Sequence, residues 1–148
     1  RRPAPVPAVA GPGTIVFQSD RGTTKGIYSM RQDGTGLTRL YDGGTDGASA
    51  PTVSPDGRRI AFATSAFVSP AVFNDDVYVM DADGSDVVSA CGSAGFQDTQ
   101  PVWMPDGRLL LTESTGQPHP VACDLATGPR SPLTSLSTPI FEPSDSTD

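Results

Sequence analysis

Short apolar runs alternate with turns rich in Gly, Pro and Asp along most of the chain. Runs of four to eight residues bounded by such clusters read as β-strands. Thr14-Ile15-Val16-Phe17-Gln18-Ser19 is the first, closed by Asp20-Arg21-Gly22. Ile27 to Met30 and Leu37 to Tyr41 follow, joined by Gln32-Asp33-Gly34-Thr35. Asp-Gly supplies the positive φ that a tight hairpin needs. Ala50-Pro51-Thr52-Val53 then leads through Ser54-Pro55-Asp56-Gly57 into a strand from Arg59 to Thr64. Ser65 to Asp76 reads as a loop, longer than its counterpart at Ser19 to Gly26. Val77 to Met80 and Val87 to Cys91 complete that unit around a turn at Asp81 to Asp86. Thr99 to Met104, Leu109 to Leu111, Val121 to Cys123 and Leu133 to Leu136 repeat the pattern with less regular turns.

Two landmarks return in one register, about 50 residues apart. Ser54-Pro55-Asp56-Gly57-Arg58 recurs as Met104-Pro105-Asp106-Gly107-Arg108. Tyr28-Ser29-Met30 with Asp33-Gly34 recurs as Tyr78-Val79-Met80 with Asp83-Gly84. A period of this length marks a repeat architecture. Four strands per period describe a meander, so the expected class is all-β.

The repeat Pro-x-Val/Trp-Ser/Met-Pro-Asp-Gly-Arg followed by Tyr-Val-Met-Asp-x-Asp-Gly resembles the WD-like repeat of TolB-type β-propellers. The resemblance covers Thr14 to about Asp145 and implies four-stranded blades. Blade 1 is placed at about 14–47, blade 2 at 48–97 and blade 3 at 98–136. Residues 1–13 form a Pro-rich, extended lead-in. A spare segment at 137–145 aligns Ser137-Thr138-Pro139-Ile140-Phe141 with Ser49-Ala50-Pro51-Thr52-Val53. The first unit lacks such an opening strand. In a TolB-like ring, a displaced strand of this kind closes the first blade to the last. Three blades are too few to close a ring. The expectation is therefore a two-fold homodimer in which Pro139, Ile140 and Phe141 of each copy complete the other's first blade. The alternatives are a fragment of a longer propeller and open-ended polymerisation through the same strand. Ile15-Val16-Phe17 and Leu109-Leu110-Leu111 are apolar on successive residues, which leaves apolar faces for association.

Composition narrows the partners. The chain of 148 residues carries a net charge of −7. That disfavours nucleic acid and anionic membrane surfaces. No apolar run approaches the length of a membrane-spanning helix, so no membrane insertion is expected. Two cysteines, Cys91 and Cys123, suit one structural disulfide in an extracellular or periplasmic protein. Such a bridge contributes about 3 kcal/mol.

Candidate chemistry is sparse. Asp81, Asp83 and Asp86 resemble an acidic calcium loop, but Val87 and Val88 stand where further oxygen ligands are needed. A hairpin turn is the plainer reading. His119, the single histidine, lies between two prolines in an expected exposed loop, and no G-x-S-x-G elbow is present. Glu113 takes the place of Ala63 in the repeat, which suggests an exposed face or a local partner. Trp103 aligns with Val53 and is expected in the core. No catalytic residue, cofactor or metal is assigned. Phe67 and Phe73, in the long loop, are candidates for contacting a partner. The expected role is a non-catalytic, exported propeller module that binds or scaffolds protein, or itself. The alternatives are an accessory propeller region of a secreted hydrolase or lyase and a polymerising structural subunit.

Overall fold

A computed structural model describes residues 13–22, 24–69, 72–90, 97–114, 117–126 and 130–132. Every regular element among them is a strand. Three antiparallel sheets follow one another along the chain. The first comprises β1 (Thr14–Ser19), β2 (Gly26–Arg31) and β3 (Thr38–Asp42). The second comprises β4 (Ala48–Val53), β5 (Arg59–Ser69), β6 (Val72–Asp81) and β7 (Val88–Ser89). The third comprises β8 (Gln97–Trp103), β9 (Leu109–Ser114), β10 (His119–Cys123) and β11 (Arg130–Pro132). Spatial order follows chain order in each sheet, as in a meander.

The sheets stack face to face, and two cores fill the gaps. Between the first and second sheets lie Ile27, Ala48, Ile60, Phe62 and Met80, with Val16, Leu40 and Tyr78 packed on them. Between the second and third lie Ala61, Val77, Val79, Trp103, Leu109, Leu111 and Cys123. Strand geometry explains the split. Successive side chains point to opposite faces, so Ile60 and Phe62 serve one core and Ala61 the other. The middle sheet is apolar on both faces for that reason.

Two expectations change. Ser65 to Asp76 is not a loop: β5 and β6 pair from Arg59↔Asp81 out to Ser69↔Val72. The antiparallel ladder simply continues, since backbone pairing does not require the Ser and Asp positions to be apolar. Phe67 and Phe73 are directly opposite in this register, and their side chains lie outside what is described. The final strand forms at Arg130–Pro132, ahead of the Leu133 to Leu136 expected, and those four residues fall outside the described set. So do Cys91, the lead-in at 1–12 and the segment 137–145.

A bulge recurs at the start of the second and third sheets. The β4–β5 register shifts between Ser49 and Thr52, and the β8–β9 register between Thr99 and Val102. Each bulge carries a left-handed residue directly before a proline, Ala50 (φ 49°) and Gln100 (φ 52°). Such a backbone costs a non-Gly residue roughly 1–3 kcal/mol, so two copies at equivalent positions mark a built feature of the repeat.

Candidate functional site

The tight turns gather at one end of the sheets. In the second unit the Ser54 hydroxyl donates to Asp56 Oδ1 (2.6 Å) and accepts the Arg59 amide (2.9 Å). Asp56 Oδ1 also accepts the Arg58 amide at 3.1 Å. Gly57 takes φ 69° to close the turn. In the third unit Met104 replaces Ser54, and Arg108 supplies the lost polar contact. Its Nε and Nη2 both reach Asp106 Oδ2 at 2.8 Å. Asp33 and Asp83 cap the other turns by accepting the amide and hydroxyl of Thr35 and Ser85. These hydrogen bonds hold all four carboxyls below the ordinary aspartate range.

Asp83 is therefore a turn cap. Asp86 sits in a left-handed conformation (φ 51°), and the Asp81 backbone amide bonds to the Ser85 carbonyl. Among the described residues, no group of three or more His, Cys, Asp or Glu side chains could hold a metal ion. The geometry at Asp81, Asp83 and Asp86 is that of a hairpin turn.

Arg59 occupies the seam between the second and third sheets at this end. Its guanidinium lies over the Trp103 ring, 5.3 Å from the centroid. The Trp103 indole N–H donates to the Thr52 carbonyl at 3.2 Å. Trp103 is thus core, as expected, and also ties the two sheets by a polar contact. A cavity of about 400 Å³ opens beside Arg59 and is bordered by Asp81, Asp86, Val88 and Asp124. A second, of about 310 Å³, runs on past Asp106 and Arg108.

Glu113 and His119 depart from expectation. Glu113 is 7% exposed, so its face is not solvent. Cross-strand pairing places it opposite His119 on one side and Asp98 on the other. His119 is the first residue of β10 and not part of a loop. Its Nε2 lies 3.5 Å from Glu113 Oε1, and its Nδ1 lies 3.2 Å from the Gln117 carbonyl. Glu113 does have the local partner that its charge suggested. Cys123 is fully buried and is not a free thiol.

The outer face of the first sheet carries Ile15 and Phe17 of the apolar run that the sequence offered for association, and adds Tyr28 and Met30, which it did not. Ile15 pairs with Met30 and Phe17 with Tyr28, so all four share one face. In the second sheet Ile60 pairs with Met80 and Phe62 with Tyr78. The two quartets are the same four residue types at equivalent positions. The second quartet packs against the first sheet. The first quartet faces away from the second sheet; there Tyr28 is 7% exposed and Phe17 and Met30 are half-buried, while Ile15 is open to solvent. Ile15 is 40% exposed where Ile60 is 0% exposed. Phe17 and Tyr28 stack on each other, with centroids 6.0 Å apart. On the far side of the molecule, Val102 is 52% exposed beside Leu110 on the outer face of the third sheet. Aligning the repeats and marking strand parity would have exposed both faces.

No family model matches the chain. An uncharacterized protein of Agrobacterium fabrum is 33% identical over 98 residues, covering 63% of this chain and 33% of that one. Among solved structures, TolB from Acinetobacter baumannii aligns over 83% of this chain and 31% of its own, with TM-score 0.67 and 22% identity. A TolB-like protein from Agrobacterium tumefaciens aligns over 82% of this chain and 45% of its own, with TM-score 0.68 and 23% identity. Puromycin hydrolase aligns over 74% of this chain and 18% of its own, with TM-score 0.60 and 23% identity. The chain has a TolB-like fold. It spans about a third of the curated relative and less than half of each of these structures.

Proposed function

We propose that this TolB-like module is a non-catalytic, exported protein-binding scaffold whose first partner is a second copy of itself. One observation carries the reading. Ile15, Phe17, Tyr28 and Met30 repeat the quartet that the second sheet buries. A face built to the same pattern is built to be covered. The second sheet covers its quartet with Val16 and Ile27 of the first. By repeat position, Leu110 on the outer face of the third sheet corresponds to Val16. A two-fold arrangement would bring each copy's third sheet onto the other's first, twice over, and close the stack. The net charge of −7 makes nucleic acid an unsuitable partner.

An exported location is supported by the state of Cys123, which is not a free thiol in a chain with one other cysteine, Cys91. A disulfide between them belongs to an oxidising compartment. The long β5–β6 hairpin, with Phe67 opposite Phe73 near its tip, is the second surface offered to a partner.

Sedimentation of the wild-type chain and of Phe17→Asp and Met30→Asp variants tests the reading. Wild type should sediment as a dimer and both variants as folded monomers. A wild-type chain that stays monomeric at every concentration overturns it. The resemblance to puromycin hydrolase favours a second reading, an accessory propeller region of a hydrolase. A catalytic domain encoded in the same reading frame would support that reading.

A further inference from the structure

We infer that the trough at the turn end of the seam between the second and third sheets is a docking site for a basic, extended segment of a partner protein. The trough is separate from the outer faces proposed for self-association and does not depend on them.

Among the described residues, three cavities adjoin there, and Arg59 borders all of them. The first, of about 400 Å³, opens at Val88 and Ser89 of β7. The second, of about 310 Å³, shares Asp124 and Leu125 with the first. The third, of about 190 Å³, shares Asp106 and Gly107 with the second and ends at Ser54 and Pro105. A row of adjoining cavities suits an extended chain better than a compact ligand.

The charges in the trough are not matched within the seam. Arg59 and Asp81 are directly opposite on β5 and β6, and both hold the seam face, since Ala61 and Val79 do. Opposite charges so placed ordinarily attract each other. Here the Arg59 guanidinium lies over the Trp103 ring instead. Among the described residues, neither Asp81 nor Asp86 takes part in an ion pair. Arg108 is held by Asp106. Along the first two cavities, Asp81, Asp86, Asp106 and Asp124 thus stand against Arg59 and Arg108. The surplus is negative, in keeping with the net charge of −7, and the low-dielectric walls of a cleft focus it.

The walls add a second requirement. Val79 and Met80 are buried against the first cavity, and Val88 beside it is 57% exposed. Leu125 lines its other side from the third sheet. A lysine or arginine side chain meets both requirements. Its methylene stem covers apolar surface while its charged head stays among the carboxylates. The carbonyls of the bound segment would accept hydrogen bonds from the Arg59 guanidinium, which is a donor only. Arg59 then holds main chain, and Asp81 and Asp86 select side-chain charge. An acidic segment is rejected by the same carboxylates.

Hexalysine and hexaglutamate peptides, titrated into the full chain at physiological salt, test the site. Trp103 is the only tryptophan and lies under Arg59, so its fluorescence follows occupancy, with calorimetry alongside. Hexalysine should bind and hexaglutamate should not. An Asp81→Asn/Asp86→Asn variant should bind hexalysine at least about tenfold more weakly. An Asp20→Asn/Asp46→Asn variant removes the same charge from exposed positions outside the trough. It should stay within about twofold of wild type, because salt screens distant charges. Equal weakening in the two variants overturns the site, as does a wild-type chain that binds neither peptide or both alike. Amide chemical-shift mapping of wild type supplies a measurement that needs no variant to fold. Hexalysine should move the signals of residues 81–89 and 124–126 first; shifts spread evenly over the acidic turns overturn the inference.

Discussion

Replacing Trp103 measures how firmly the second and third sheets are joined. The ring is 8% exposed within the core shared by Ala61, Val79, Leu109 and Leu111. Truncating a buried Trp to Ala costs about 3–5 kcal/mol from lost burial and the cavity left behind. The Arg59 guanidinium over the ring adds about 0.5–1 kcal/mol at a partly exposed site. Trp103→Phe keeps most of the volume and loses the indole bond to the Thr52 carbonyl. Leaving that carbonyl with one partner fewer costs about 1 kcal/mol. A domain of this size has roughly 5–15 kcal/mol in total. Trp103→Ala should therefore lower the urea midpoint steeply and Trp103→Phe slightly, both followed by far-UV circular dichroism. Trp103 is the only tryptophan, so wild-type fluorescence reports on this seam alone and should unfold together with the circular dichroism signal. A loss below about 1 kcal/mol for Trp103→Ala would refute the packing described.

Acid should destabilise the fold. Hydrogen bonds from Thr35, Thr24, Ser54, Ser85 and Arg108 side chains lower the pKa values of Asp33, Asp42, Asp56, Asp83 and Asp106 below 3.8. Depressed folded-state values give stability that is full above the unfolded pKa and is lost as pH falls through the folded one. The Tm should hold from pH 7 to about 5 and fall below about pH 4; a Tm that rises there would contradict the turn geometry. Gly84→Ala and Gly34→Ala form a matched pair. Both positions have positive φ, but a Cβ at Gly84 would meet the Leu40 carbonyl oxygen at 2.6 Å, whereas nothing lies near Gly34. Gly34→Ala should cost about 1 kcal/mol, typical of placing Ala where φ is positive. Gly84→Ala should cost more in the same denaturation assay; equal losses would argue against the turn of the second unit resting on β3. Thiol titration of the unreduced, unfolded chain should find no free cysteine, and reduction should lower stability by about 3 kcal/mol; two titratable thiols before reduction would remove the bridge.

The turns made the fold legible. Asp-Gly and Pro-Asp-Gly at fixed spacing set where strands start, and the structure places strands against them. What stayed hidden depends on partners far along the chain. Glu113 in place of Ala63 pointed to an exposed face or a local partner, and the partner, His119, can be named only once the β9–β10 register is known. The segment Ser65 to Asp76, expected to be a loop, continues the β5–β6 ladder, which cross-strand pairing and not local sequence decides. Arg59 shows no sign in the sequence that it will lie over Trp103, since that contact crosses from one sheet to the next. The outer quartet was visible in principle, as identical residues in two units, once their shared face was known.

The solution mass by light scattering, across a wide concentration range, tests the central claim most directly. An outer face that repeats a buried one predicts a mass near twice 15.3 kDa. A stable mass of one chain at the highest concentration would contradict it.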